Sequence, residues 1–142
     1  MATTRTATTQ WKGPLLHGSG TVSLDTSGVG TFDVTWASRS EEANGKTSPE
    51  ELIAAAHSSC FSMALSHGLA QAGTPPQSLE TKADVTFQPG EGITGIVLSV
   101  RAQVEGISAA DFQTAAETAK ANCPVSKALT GTTITLNAEL LG

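Results

Sequence analysis

Tyrosine is absent from this 142-residue chain, and with two tryptophans and four phenylalanines the aromatic share is only 4%. A core of large rings is thereby excluded. Ala, Val, Ile and Leu must fill it, with Gly, Ser and Thr at close contacts, and a second copy of the chain is expected to help bury the surface. No apolar run approaches the roughly eighteen residues that cross a bilayer, which excludes a membrane-spanning helix. Behind the single basic residue of MATTRTATTQ there is no apolar segment, so no secretory signal is expected and the expected location is the cytoplasm. Basic residues are scarce as well: eight Lys and Arg, scattered along the chain, face thirteen Asp and Glu for a net charge of −5. A surface that tracks phosphates needs clustered cations, so nucleic acid is not an expected partner.

What is present reads as one domain, 1–142, of α+β class. From about Thr6 to Ser38 the chain reads as strands, with Gly-rich turns at Gly18 to Gly20 and Ser27 to Gly30 separating TVSLD from TFDVTWAS. The polar stretch Ser40 to Thr47 carries the Asn44-Gly45 turn signal and reads as a loop. A helix then starts at Ser48 as N-cap, with Pro49 at the first position and Glu51 completing a capping box, and runs to about Ala72. Its body, apolar or small nearly all round, predicts a buried helix. Strands follow at Leu79 to Gln88 and Ile93 to Val104, joined by Pro89-Gly90-Glu91-Gly92. Ser108 caps a second helix whose inner stripe is Phe112, Ala115, Ala116 and Ala119, and a strand from Thr132 to Leu140 closes the chain.

Two cysteines, Cys60 and Cys123, are the candidates for chemistry. In a reducing compartment they are either buried inert thiols or a working redox pair. Their spacing is not that of a CxxC motif, and without a His cluster they make a poor zinc site. The setting of Cys123 favours the working pair. Pro124 suits the first turn of a short helix, so Cys123 is expected at its N-cap, where free amides and the positive end of the dipole favour a thiolate, with Lys127 nearby.

Cys60 lies mid-helix, where the backbone amides are already used, so an outside cation is expected to stabilise its thiolate. Arg39, read as following a strand that ends at Trp36, is the first candidate, with a solvated loop charge as the plainer reading. His57, three residues before Cys60, is a weaker candidate, because a lone His on a buried helix is more often a packed side chain. The capping box accounts for Glu51 and leaves Glu50 free. Glu50 stands ten positions before Cys60, about 15 Å of axial rise along a straight helix. One helix does not easily bring the two together. An antiparallel copy of the helix from a second chain would, and Ala54, Ala55, Ala56, Ser58, Ser59 and Ser62 allow close approach.

The run SPEELIAAAHSSCFSMAL over 48–65, with Asn122-Cys123-Pro124-Val125-Ser126 downstream, resembles the superfamily of osmotically inducible protein C (OsmC) and organic hydroperoxide resistance (Ohr) proteins. The likeness extends from Gln10-Trp11-Lys12-Gly13 through the closing strand. It implies antiparallel sheets around a long central helix in an intertwined homodimer, with sites at the subunit interface. It implies a thiol peroxidase that reduces organic hydroperoxides, and hydrogen peroxide more weakly, in protection against oxidative or osmotic stress. In that scheme Cys60 is the peroxidatic thiolate and Cys123 the resolving thiol, while Glu50 and an Arg orient the peroxide and lower the Cys60 pKa. The early chain offers only Lys12 near Trp11, so the Arg is assigned to Arg39, as in the OsmC branch, although Ser40 stands where relatives carry an aromatic. A small dithiol or lipoyl reductant is implied, and no bound cofactor. An apolar lining that includes Phe61 and Met63 is expected to favour alkyl or lipid hydroperoxides. Two other readings stay open: a redox sensor using the same disulfide, and a non-enzymatic module binding a small apolar ligand.

Overall fold

The computed structural model describes residues 1–142, which fall into two compact units, Met1–Leu52 and Ile53–Gly142. In the first, β1 (Thr8–Lys12), β2 (Ser19–Ser23) and β3 (Thr31–Val34) form an antiparallel meander. The expected first turn is displaced toward the N-terminus. Gly20 is a strand residue paired with Trp11, and the connection occupies 13–18, where Gly13 takes φ 91°. A Cβ on Gly18 would stand 2.5 Å from the carbonyl oxygens of both Lys12 and Pro14, so only glycine closes this loop.

The expected strand TFDVTWAS ends early. After Val34 the chain turns into the one-turn helix α1 (Trp36–Ser40), so Arg39 sits on a helix. The reason is local: the Thr35 hydroxyl accepts from the Ser38 N–H and the Ser38 hydroxyl accepts from the Thr35 N–H, each at 3.0 Å. This reciprocal cap outweighs the strand preference of Thr35 and Trp36. Ser38 also donates to the Thr47 carbonyl at 2.8 Å, tying α1 to the chain that leads into the next helix. Between them Asn44 (φ 50°) and Gly45 (φ 80°) make the expected turn.

Helix α2 (Pro49–Gln71) starts as anticipated, with the Glu51 N–H donating to the Ser48 hydroxyl at 3.1 Å. The reciprocal half of the box is absent, because the Glu51 carboxylate accepts from the Thr47 hydroxyl at 2.6 Å instead. Gly73, at φ 89°, ends the helix, its N–H bonding back to Ala70 and that of Thr74 to Leu69.

In the second unit β4 (Ser78–Gln88) and β5 (Gly92–Gln103) form a long antiparallel hairpin. Helix α3 (Ala109–Asn122), capped by Ser108, and the short α4 (Pro124–Ala128) carry the chain back to β6 (Ile134–Leu140). That crossover sets β6 parallel to β5, so this sheet is mixed where the sequence reading expects antiparallel pairing throughout. Alternate residues of β5, Ile96, Leu98, Val100 and Ala102, are fully buried, and Leu98, Val100 and Ala102 share one core with Phe61, Leu65 and Leu69 of α2 and Phe112, Ala116 and Ala119 of α3. Burial of each large side chain contributes about 1.5–3 kcal/mol.

Helix α2 is not buried all round. A single i, i+4 stripe of His57, Phe61, Leu65 and Leu69 faces the core, while Ala55, Ala56, Ser59 and Met63 are exposed. Small and apolar residues therefore cover a face that nothing in the chain covers. No helix is long and apolar enough to cross a membrane.

Candidate active site

The second unit brings the two cysteines together. Pro124 bars the helical conformation from the residue before it, so α3 stops and Cys123 takes φ −53°, ψ 126° as the hinge between α3 and α4. Its N–H still bonds to the Ala119 carbonyl at 2.9 Å, and its own carbonyl accepts from the Lys127 N–H at 3.0 Å. Held at both ends, Cys123 is fully buried, and its Sγ lies 2.8 Å from Sγ of Cys60 on α2, with both residues as free thiols. A small approach separates this contact from the roughly 2.05 Å of a disulfide. Cys60 keeps partial exposure and Cys123 none, which suits one thiol that meets a reagent and one that meets only its partner.

The short helix acts on the other sulfur than expected. Cys123 makes no side-chain hydrogen bond to the α4 amides, and the backbone N–H of Val125 favours the Cys60 thiolate instead. Burial pushes the Cys60 thiol above its usual range, and the Cys123 contact adds to the rise, while the Val125 N–H opposes it. Lys127 is exposed.

His57 is fully enclosed, and its Nε2 stands 2.7 Å from the Ser126 hydroxyl. Burial lowers its pKa, which favours the neutral ring. The sequence flagged His57 as a possible partner of Cys60; the partner found is Ser126, 69 residues away. That pairing and the Val125 amide are the features sequence reasoning missed. The one available signal was spacing: His57 precedes Cys60 by three residues, and Ser126 follows Cys123 by three. Phe61 also falls elsewhere than expected, since it is fully buried in the core and does not line an open path, whereas Met63 is exposed.

The first unit brings Arg39 and Glu50 together. Arg39 Nε lies 3.0 Å from both Glu50 carboxylate oxygens, and Nη2 lies 2.9 Å from Oε2. Glu50 is buried in the first turn of α2, where the helix dipole favours an anion, and Arg39 stays about a third exposed. Arg39 borders a hollow of about 330 Å³ whose walls include Trp11, Leu15, Val22, Trp36 and Leu52. An apolar recess with a fixed guanidinium at its edge fits a molecule with a hydrocarbon body and a polar end.

A protein-family model described as OsmC-like protein matches residues 42–138. Peroxiredoxin OsmC of Escherichia coli strain K12 is 43% identical over 133 residues, covering 92% of each chain. Organic hydroperoxide resistance protein OhrA of Bacillus subtilis is 34% identical over 95 residues, covering 66% of this chain and 67% of its own. The solved structure of an OsmC-like protein from Mycoplasma pneumoniae superposes with a TM-score of 0.74 over the whole of both chains at 14% identity, a likeness of fold.

Proposed function

This chain belongs to the OsmC family, and from that premise we propose that it is a cysteine-based peroxidase acting on organic hydroperoxides, with Cys60 as the attacking thiolate and Cys123 as the resolving thiol. The observation that carries this reading is the 2.8 Å approach of the two sulfurs, one partly open and one enclosed. The names peroxiredoxin and organic hydroperoxide resistance protein carried by relatives support the same class of reaction.

The Cys60 thiolate attacks the distal oxygen of R–O–O–H, and the O–O bond breaks. The alkoxide takes a proton and leaves as an alcohol, and Cys60 becomes a sulfenic acid. The Cys123 sulfur then displaces hydroxide from it, the Cys123 proton makes water, and a Cys60–Cys123 disulfide remains. A dithiol or lipoyl reductant returns both thiols and is itself oxidised to a disulfide.

In the single chain burial holds Cys60 above its usual range, so a cation is needed to draw the thiolate out. Arg39, fixed by Glu50, supplies it in this reading and orients the peroxide, with the hydrocarbon body in the neighbouring hollow. Glu50 stands ten positions before Cys60 on one unbroken helix, and the uncovered small-residue face of α2 supports a homodimer in which one chain's pair serves its partner's sulfur.

The test is consumption of cumene hydroperoxide and hydrogen peroxide with dihydrolipoamide as reductant, by wild type, Cys60→Ser and Cys123→Ser. An inert Cys60→Ser protein and a Cys123→Ser protein that stalls or over-oxidises support both roles. Equal behaviour of all three makes the cysteines structural and leaves a ligand-binding module.

A further inference from the structure

His57 is the buried polar group that the peroxidase chemistry leaves unused. Its ring lies on the core stripe of α2, with Nε2 bonded to Ser126 and Nδ1 without any partner. The orphan nitrogen selects the tautomer. An enclosed N–H lacking an acceptor costs more than an enclosed lone pair, so the proton sits on Nε2 and is donated to the Ser126 oxygen.

The placement of that bond ties it to the sulfurs. Cys60 and His57 lie one turn apart on α2, and Cys123 and Ser126 lie one turn apart across the start of α4. The sulfur contact and the His57–Ser126 bond are thus two rungs between the same two segments, and the Val125 amide of α4 favours the Cys60 thiolate. Helix α4 has only five residues and no side-chain cap, so its own hydrogen bonds fix its direction weakly.

We propose that His57 and Ser126 are positioning residues whose enclosed hydrogen bond seats α4 on α2, so that the Cys123 sulfur is held at Cys60 for disulfide closure. The proposal rests on the peroxidase reading only for the origin of the Cys60 sulfenic acid. In the closure the Cys123 sulfur bonds to the Cys60 sulfur as the S–O bond breaks, and the Cys123 proton leaves with the hydroxide as water. Without the second rung α4 shifts, and a second peroxide oxidises the waiting sulfenic acid to sulfinic acid.

The experiment compares wild type with Ser126→Ala and His57→Asn, which lose the bond, and with Ser126→Thr, which keeps the hydroxyl. Each reduced protein is oxidised either by stoichiometric cumene hydroperoxide or by diamide, which makes disulfides without peroxide chemistry, and Cys60 alkylation is followed against pH. Both loss variants should close the disulfide about tenfold more slowly with either oxidant. Under a molar excess of cumene hydroperoxide they should accumulate Cys60 sulfinic acid, and their alkylation profile should move to higher pH as the Val125 N–H is withdrawn. Ser126→Thr should recover much of the closure rate. Closure at the wild-type rate in both loss variants overturns the proposal, and so does slowing that merely follows the fraction unfolded in a thermal melt. If one loss variant fails to fold, the other carries the same comparison. Should wild type consume no peroxide while the loss variants still slow diamide closure, the peroxidase reading falls and the positioning role stands.

Discussion

Arg39 meets Glu50 through two nitrogens, Nε bridging both carboxylate oxygens at 3.0 Å and Nη2 reaching Oε2 at 2.9 Å. A planar guanidinium held this way has a fixed face, which a flexible ammonium cannot reproduce. Arg39→Ala is expected to lower kcat/KM for cumene hydroperoxide about tenfold to a hundredfold, the range for losing a charge-assisted hydrogen bond. Arg39→Lys should restore only part of it, since charge returns without the fork. Glu50→Gln should fall between the two. Steady-state rates at saturating reductant, read beside thiolate absorbance against pH, separate lost peroxide binding from a raised Cys60 pKa.

The enclosed His57 makes stability depend on pH in one direction. Burial lowers its pKa in the folded chain below the 6.5 of the unfolded one. Below pH 6.5 the unfolded chain takes up a proton that the folded chain refuses, so the neutral ring's contribution is complete above 6.5 and is lost as pH falls toward the folded value. Urea unfolding at pH 7.5 and pH 5 should show wild type losing more stability on acidification than His57→Asn. An equal acid loss in both proteins would assign the slope to other groups.

Phe61 and the hollow beside Arg39 separate packing from substrate choice. Phe61 is fully enclosed, so Phe61→Ala should cost about 3–5 kcal/mol of stability, read as a lower denaturation midpoint. Leu15 is exposed at the rim of the hollow, so Leu15→Ser should leave stability within about 0.5 kcal/mol. The same change should raise KM for cumene hydroperoxide and leave hydrogen peroxide unaffected, because only the former has a hydrocarbon body to seat. A shift in peroxide preference from Phe61→Leu, without one from Leu15→Ser, would move the substrate path elsewhere.

Local rules made part of this fold legible in the sequence. Ser48 with Pro49, Asn44 with Gly45, and Cys123 with Pro124 each act within a few residues, and each stands where its side chain or fixed φ requires. Thr35 and Trp36 favour strands, so residue type alone puts Arg39 after a strand, and the reciprocal bonds of Thr35 and Ser38 are too short a signal to outweigh that preference in sequence. The parallel pairing of β6 depends on where α3 and α4 deliver the chain, which no property of 134–140 encodes. His57 and Ser126 are 69 residues apart, and only the packed core brings them to 2.7 Å. The pairing of Cys60 with Cys123 lies between these cases. Residue type and the neighbouring proline point to two working thiols, and the resemblance implies a role for each.

The uncovered face of α2 leads to a prediction about assembly. A helix with its outer side built from Ala55, Ala56, Ser59 and Met63 would normally carry charges there if that side met water, and Met63 is 72% exposed in the single chain. Small residues let two helix backbones approach closely, and one thioether fills the uneven space between them. A charge at position 63 would then be enclosed without a partner. Met63→Glu should convert a dimer to monomers in light scattering coupled to size exclusion, while the far-ultraviolet circular dichroism stays unchanged. If Arg39 and Glu50 serve the sulfur of a second chain, peroxide consumption should disappear with the dimer and return as protein concentration is raised. A Met63→Glu protein that is monomeric yet fully active would show that the second copy has no part in the chemistry.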